Sequence, residues 1–422
     1  MISYLKEFGY RLKASSLLQG ILLILMGITI ILVVYAPNRF VKSSEAVPAK
    51  QDSVNPSEAF RLTLDTLRLS YGFPGATAAY VWTDGTSGVA ATGFSDLESG
   101  TPMTPKSRML AASIGKTFVG AAAVLLSDEG VLDLDEPIER RLGKRQWFHR
   151  LPNHKQITLR HLLTHRSGLP NHVYMDEFAA EASRRWPTLD EPISPDSLVQ
   201  FVLDEPPLFD AGEGWSYTDT GFILAGMIIE QATGRSYYEI IEERFLNPLN
   251  LRLTSPSNTR TLPRLAAGYA AENAFGFPKK TTTADGEMAW HPGIEWTGGG
   301  LVSTSEDLAC WGAALFGGRA LSKTALERLL HSSPIDSASP DIHYGMGIAI
   351  YQNTSYGTVY GHGGWIPGYT SSLRYYKDYG VAIAFQINTD IGIMDDTSSV
   401  VQTMESKLAA VVLSAKDRFG RK

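Results

Sequence analysis

Cysteine is almost missing from this chain. Cys310 is the only one among 422 residues, so no intrachain disulfide can form. The fold must be held by its core and not by covalent staples. Cys310 falls in the helical pattern Glu306-Asp307-Leu308-Ala309-Cys310-Trp311 and reads as a small buried apolar residue. Basic charge is scarce as well. Lys and Arg total 38 against 44 Asp and Glu, and the net charge is −6. With no long basic run, the chain lacks the electrostatic footprint of a nucleic-acid binder. Internal repeats and low-complexity segments do not stand out. Apolar residues at 44% and charged residues at 19% suffice for a sizeable core. The length suggests more than one domain, or one large domain with an insertion.

One long uncharged stretch is present. Residues 17–36 read LLQGILLILMGITIILVVYA, which matches the thickness of a bilayer's hydrocarbon core. Lys6, Arg11 and Lys13 precede it, as expected for an N-terminus in the cytoplasm. The stretch is longer than a usual signal-peptide core. Val34-Tyr35-Ala36 followed by Pro37 is also a poor cleavage site. An uncleaved membrane anchor is therefore favoured over a cleaved signal, and in either case the rest of the protein lies outside the cytoplasm.

The expected organisation is a cytoplasmic segment 1–16, the transmembrane helix 17–36, a Pro- and Ser-containing linker 37–56, a domain 57–415 and a tail 416–422. Apolar periodicity predicts a helix over Ser57–Leu69 and another from Ser113 to about Glu129. Residues 75–84 and 87–94, split by Asp84-Gly85, read as a hairpin. The stretch from about 131 to 297 carries helical patches at Ile157–His165 and Phe222–Thr233 and few strand signals. Strand patterns return at Tyr344–Tyr351, Thr358–His362, Tyr369–Tyr376 and Val381–Ile387, before a helix over Thr397–Ala415. This predicts an α+β fold: an antiparallel sheet flanked by helices, with an inserted all-helical domain.

Three polar islands interrupt these patterns: Ser113/Lys116, Trp215–Gly221, and His362-Gly363-Gly364-Trp365. Each has an ordinary reading when taken alone. A serine and a lysine three apart usually mark a solvated helix face. Tyr217 could be a loop aromatic, Asp219 a cap for the following helix, and His362 a strand-end histidine.

Together, Ser113-x-x-Lys116, Tyr217-x-Asp219 and His362-Gly363-Gly364 resemble the three motifs of the penicillin-recognising, β-lactamase-like serine hydrolases. The resemblance is to the branch with class C β-lactamases, D,D-carboxypeptidases, D-aminopeptidases and related esterases. Leu162-Leu163-Thr164-His165-Arg166-Ser167-Gly168-Leu169, Gly299-Gly300-Leu301-Val302-Ser303-Thr304 with Asp307, and Pro367-Gly368-Tyr369-Thr370-Ser371 resemble further segments of that family in the right order.

The resemblance implies acyl transfer through a covalent intermediate, with no cofactor and no metal. Ser113 would be the nucleophile, and the backbone N–H groups of Ser113 and Trp365 the oxyanion hole. Lys116 and Tyr217 would share the general-base work. A carboxylate at Asp219 would hold Lys116 charged, which favours Tyr217 as the proton acceptor. His362 stands where the β-lactamase motif has lysine, and Gly363 where it has threonine. A mostly neutral histidine and a residue without a hydroxyl hold a substrate carboxylate poorly. Weak β-lactamase activity and an ester, amide or peptide substrate are expected. Gly363 and Gly364 would let the substrate approach the strand edge. Arg374 or Arg166 could restore carboxylate binding, which keeps a D,D-carboxypeptidase acting on cell-wall peptides as the alternative. A catalytically silent, anchored binding protein is the reading from another class.

His161 and His165 are four apart, a spacing that can bind zinc on a helix, but the family segment explains them structurally. Asp190, Glu191, Asp204 and Glu205 read as solvated loop acids. Tyr237, Tyr238 and Phe245 read as core.

Overall fold

The computed structural model describes residues 55–185, 190–272, 276–393 and 398–419. The expected anchor, residues 17–36, lies outside them. Among the described residues no helix is long and apolar enough to cross a membrane.

Helix α1 (Pro56–Tyr71) opens on Asn55, whose side chain accepts from the Ser57 N–H, and closes on Gly72 in the left-handed conformation. The hairpin follows, with β1 (Gly75–Trp82) and β2 (Ser87–Asp96) joined across Asp84-Gly85. Short strands β3 (Thr101–Pro102) and β4 (Met109–Leu110) come next. A 3₁₀ turn at Ala112–Gly115 runs into α2 (Lys116–Asp128). Residues 131–297 are mostly short helices and turns. They include α3 (Leu159–Leu163), α4 (Asp219–Thr233) and the two-residue strand β5 (Ser255–Pro256). Strand β6 (Leu301–Ser303) and α5 (Ser305–Phe316) lead back to the sheet. There follow β7 (Ser333–Pro334), β8 (Ile342–Tyr344), β9 (Ala349–Thr354), β10 (Gly357–Ile366), β11 (Tyr369–Tyr376), β12 (Val381–Ile387) and α6 (Val400–Phe419).

The main sheet has nine strands in the order β3-β2-β1-β12-β11-β10-β9-β8-β7, and every neighbouring pair is antiparallel. The α+β expectation holds in this respect. Alternation along β12 fixes the two layers. Val381, Ile383, Phe385 and Ile387 point into a cluster with Phe60 and Leu64 of α1 and Met404 and Leu408 of α6. Ala382 and Ala384 face the other way, into a larger core shared with Trp311 of α5 and Phe118 of α2.

That second core holds the start of α2. The indoles and rings of Trp311 and Phe118 stack at 3.9 Å, and the Trp311 indole N–H donates to Thr117 Oγ1 at 2.8 Å. Ser371 of β11 donates its hydroxyl to Ala111 O at 2.8 Å, and the Ala111 N–H donates to Leu301 O at 2.8 Å. The segment entering Ser113 is thus bonded to the main sheet through β11 and to β6, the central strand of a small second sheet β4-β6-β5.

Several boundaries differ from the expected ones. Ser113 lies on the 3₁₀ turn and not on the α-helix. The predicted strand Tyr344–Tyr351 is two strands, because the Met346 and Gly347 N–H groups leave the ladder to bond Leu329 O and Leu163 O. The C-terminal helix begins later and runs farther than Thr397–Ala415. Cys310 is only partly buried. Tyr237 and Phe245 are buried as expected, and Tyr238 packs beside them with its hydroxyl on Gly300 O at 3.2 Å.

Candidate active site

The 3₁₀ turn brings Ser113 and Lys116 together, since residues three apart eclipse in that geometry. Lys116 is fully buried. Its Nζ donates to Ser113 Oγ at 3.0 Å, to Asp219 Oδ1 and to the Gly298 carbonyl. An ammonium has three donors, and all three have acceptors here. Room for this approach comes from glycine. A Cβ on Gly115 would fall 1.8 Å from Gly299 O.

Asp219 is the first residue of α4, and Thr218 occupies the cap position. Its carboxylate therefore serves Lys116 and not the helix end. The second oxygen, Oδ2, accepts from Asn171 Nδ2 at 3.4 Å, while Asn171 Oδ1 accepts from the Asp219 N–H at 3.2 Å. Burial alone would raise the Asp219 carboxyl. The charge and hydrogen bond of Lys116 outweigh it and hold the group below the usual carboxylate range.

Tyr217 is buried, and the Lys116 ammonium lies 4.9 Å from its ring centre. His165 fixes the turn that carries it. The His165 carbonyl accepts from the Ser216 N–H at 3.0 Å, and Nδ1 accepts from the Thr218 N–H at 3.1 Å. The His165 ring packs 4.2 Å from the Tyr217 ring. Helix α3 ends at Leu163, so His161 and His165 do not share a helical face. His161 instead closes a capping box with Thr158.

His362 is buried on β10, with Nε2 2.8 Å from the Tyr344 hydroxyl and Nδ1 on the Gly363 carbonyl. Both ring nitrogens are committed, so His362 lines the site as a neutral ring. Burial first, then the Lys116 charge, pushes it down to about 3. Pairing of β9 with β10 reaches Gly361, while β11 pairs with β10 through Ile366. Gly364 answers a different need from the one expected. A Cβ there would meet Ala111 O and Ser371 Oγ, each at 2.3 Å. The crowding partner is the segment that leads into Ser113, which packs on the strand.

A cleft of about 110 Å³ opens over these groups, lined by Ser113, Tyr217, Asp219, His362, Gly363, Gly364 and Trp365, with Lys116 beneath. Arg374 also lines it, but its guanidinium faces Glu405 at 3.0 Å. Arg166 is committed elsewhere, donating to Gly212 O at 2.9 Å. Asp204 pairs with Arg150, and Asp190 sits 3.8 Å from Arg260.

The sequence reading missed Asn171, Gly298 and Glu295. Asn171 follows the Ser-Gly-Leu-Pro segment directly. Gly298 contributes a carbonyl, which no residue type advertises. Glu295 lines the cleft from between two 3₁₀ turns, Pro292–Ile294 and Trp296–Gly298. Its sequence signal is an isolated acid among apolar residues, just before the glycine run.

A Ser-x-x-Lys turn, a Tyr-x-Asp turn and a glycine-bearing strand meeting over one buried ammonium define a β-lactamase-type site. The Beta-lactamase family model matches residues 53–401, and the chain belongs to that family. It is 27% identical over 307 residues to penicillin-binding protein 4* of Bacillus subtilis (71% of this chain, 64% of that protein). It is 26% identical over 322 residues to D-aminopeptidase of Brucella anthropi (72% and 54%). The chain thus spans less than two thirds of the length of these curated relatives. The crystal structure of D-amino acid amidase from Ochrobactrum anthropi SV3 with L-phenylalanine amide is similar at 27% identity. The TM-score is 0.70, covering 86% of this chain and 100% of that one.

Two outcomes follow for stability. Removing both carboxylates near the charge, Asp219→Asn with Glu295→Gln, strands a buried ammonium and costs about 3–5 kcal/mol of unfolding free energy in urea at pH 7. Asp219→Asn alone costs less, because Glu295 can ionise in its place. An unchanged midpoint in the double variant contradicts the assignment. Burial also holds His172 down to about 4, His362 to about 3 and His165 well below 6.5. The unfolded chain binds these protons first, so stability present at neutral pH is lost as pH falls from about 6.5 toward 4. Each histidine contributes up to about 1.4 kcal/mol per pH unit. A urea midpoint that stays flat across that window would rule this out.

Proposed function

We propose that this protein is a serine hydrolase that cleaves amide or peptide bonds through an acyl-enzyme on Ser113. The observation that carries the reading is the full commitment of Lys116. With Asp219 and the Gly298 carbonyl on two of its protons, the lysine acts as a fixed cation beside Ser113 Oγ. Tyr217 is then the proton acceptor, and a phenolate there gains from the ammonium 4.9 Å from its ring centre.

Ser113 Oγ attacks the substrate carbonyl as its proton passes to Tyr217. The oxyanion is received by the backbone N–H groups of Ser113 and Trp365. Tyr217 returns the proton to the leaving amine, and water then releases the acyl group by the reverse path. Similarity to a D-aminopeptidase and a D-amino acid amidase supports an amide or peptide substrate over an ester.

The D,D-carboxypeptidase alternative needs a cation for the substrate carboxylate. His362 is neutral, and Arg374 already faces Glu405. The same lack supports weak β-lactamase activity. The uncharged stretch 17–36 supports a protein anchored in a membrane with this domain outside the cytoplasm.

A fluorophosphonate probe is expected to label Ser113 and to fail with Ser113→Ala. Tyr217→Phe is expected to lower kcat/KM on an amino-acid p-nitroanilide by about 10²–10⁴-fold. A folded protein whose Ser113 does not label would instead be a silent anchored binder.

A further inference from the structure

Glu295 is an ionisable cleft residue that the acyl transfer just described does not use. Its Oε1 faces Gly299, a residue that the Ala112 carbonyl also crowds. A Cβ on Gly299 would fall 2.4 Å from that oxygen and 2.8 Å from the Ala112 carbonyl carbon. Its Oε2 is buried and has no hydrogen-bond partner among the described residues. A carboxylate oxygen buried without a partner is a costly arrangement, and it is retained here inside the cleft that exposes Ser113.

The charges around it do not balance. Lys116 and Asp219 act on Glu295 directly, and Tyr238, on the short helix Tyr237–Ile241, feels its charge. Lys116 is already matched by Asp219. His172 and His362, which line the same cleft, are neutral, and Arg374 is matched by Glu405. Ionised Glu295 is therefore one negative charge in excess. A cation entering the cleft would both satisfy Oε2 and restore neutrality.

We propose that Glu295 is a specificity-determining residue that receives a protonated amino group of the substrate, so that the amides or peptides cleaved here carry a free amine close to the scissile carbonyl. The inference rests on the acyl-enzyme reading of Ser113. Burial raises the Glu295 carboxyl, the Lys116 charge lowers it and the Asp219 charge raises it again, leaving it at about 8 in the empty site. An arriving ammonium favours the ionised form, so Glu295 gives up its proton as the amine binds. The proton it gives up passes to solvent.

The test uses the full chain and reads protection of Ser113 from fluorophosphonate labelling. The ligands are phenylalanine amide, as both enantiomers, and N-acetylphenylalanine amide. The free amine is expected to protect at about tenfold lower concentration or better, the value of one charged hydrogen bond. Glu295→Gln is expected to erase that gap, and Glu295→Asp, which keeps the charge, to retain part of it. Each variant's labelling is compared with its own rate without ligand. Equal protection by the two ligands, no protection by either, or a gap that survives Glu295→Gln overturns the inference while labelled Ser113 leaves the acyl-enzyme reading standing. Failure of Ser113 to label in wild type overturns that reading, and this one with it.

Discussion

The buried ammonium of Lys116 is the constraint around which the site is organised. An ion with no solvent exposure costs several kcal/mol unless every proton finds an acceptor and the charge finds a counter-ion. The three acceptors come from three distant places: Ser113 on its own turn, Asp219 at the start of α4, and Gly298 before β6. Satisfying one nitrogen therefore fixes the approach of the helical region to the sheet region. Glycines at 115 and 299 permit the contact, and Asn171 holds the far side of the Asp219 carboxylate. His165 extends the same network to Tyr217 through the Thr218 N–H. Ser113, Tyr217, Asp219 and Gly298 are the members of this network that line the cleft.

Neutral histidines set the electrostatic character of that cleft. His165, His172 and His362 are all buried and all shifted toward the uncharged form. A lysine at position 362 would have placed a second cation opposite Lys116. The histidine, tied to Tyr344 and to the Gly363 carbonyl, removes that charge and keeps the strand in place. Removing that charge makes the cleft a poor receiver of anions, and Glu295, whose carboxyl burial pushes up to about 8, adds a negative charge only when it ionises.

Much of this was legible in the sequence, for reasons that differ by element. Strands β11 and β12 fall on their expected residues because they are central, buried on both faces and bounded by tight turns at Gly368 and Gly380. The Ser113–Lys116–Tyr217–Asp219 set was legible because its chemistry lies in side chains at ordered spacings. The turn type at Ser113 was not, since a 3₁₀ turn and a first helical turn share one apolar pattern. Strand Tyr344–Tyr351 was read as continuous because Met346 and Gly347 leave the ladder for tertiary partners that no local pattern announces. Glu295 was passed over because a lone acid carries no spacing signal, and Gly298 because its contribution is a backbone carbonyl.

The role proposed for Lys116 is that of a fixed cation and not of the base. The direct measurement is nitrogen-15 NMR of the lysine side chains at pH 7, with the Lys116 signal assigned by its loss in Lys116→Met. A fixed cation gives an ammonium resonance for Lys116 in the free enzyme, shifted when Asp219 is replaced by Asn. A neutral amine resonance at pH 7 would contradict it and return the general-base role to the lysine.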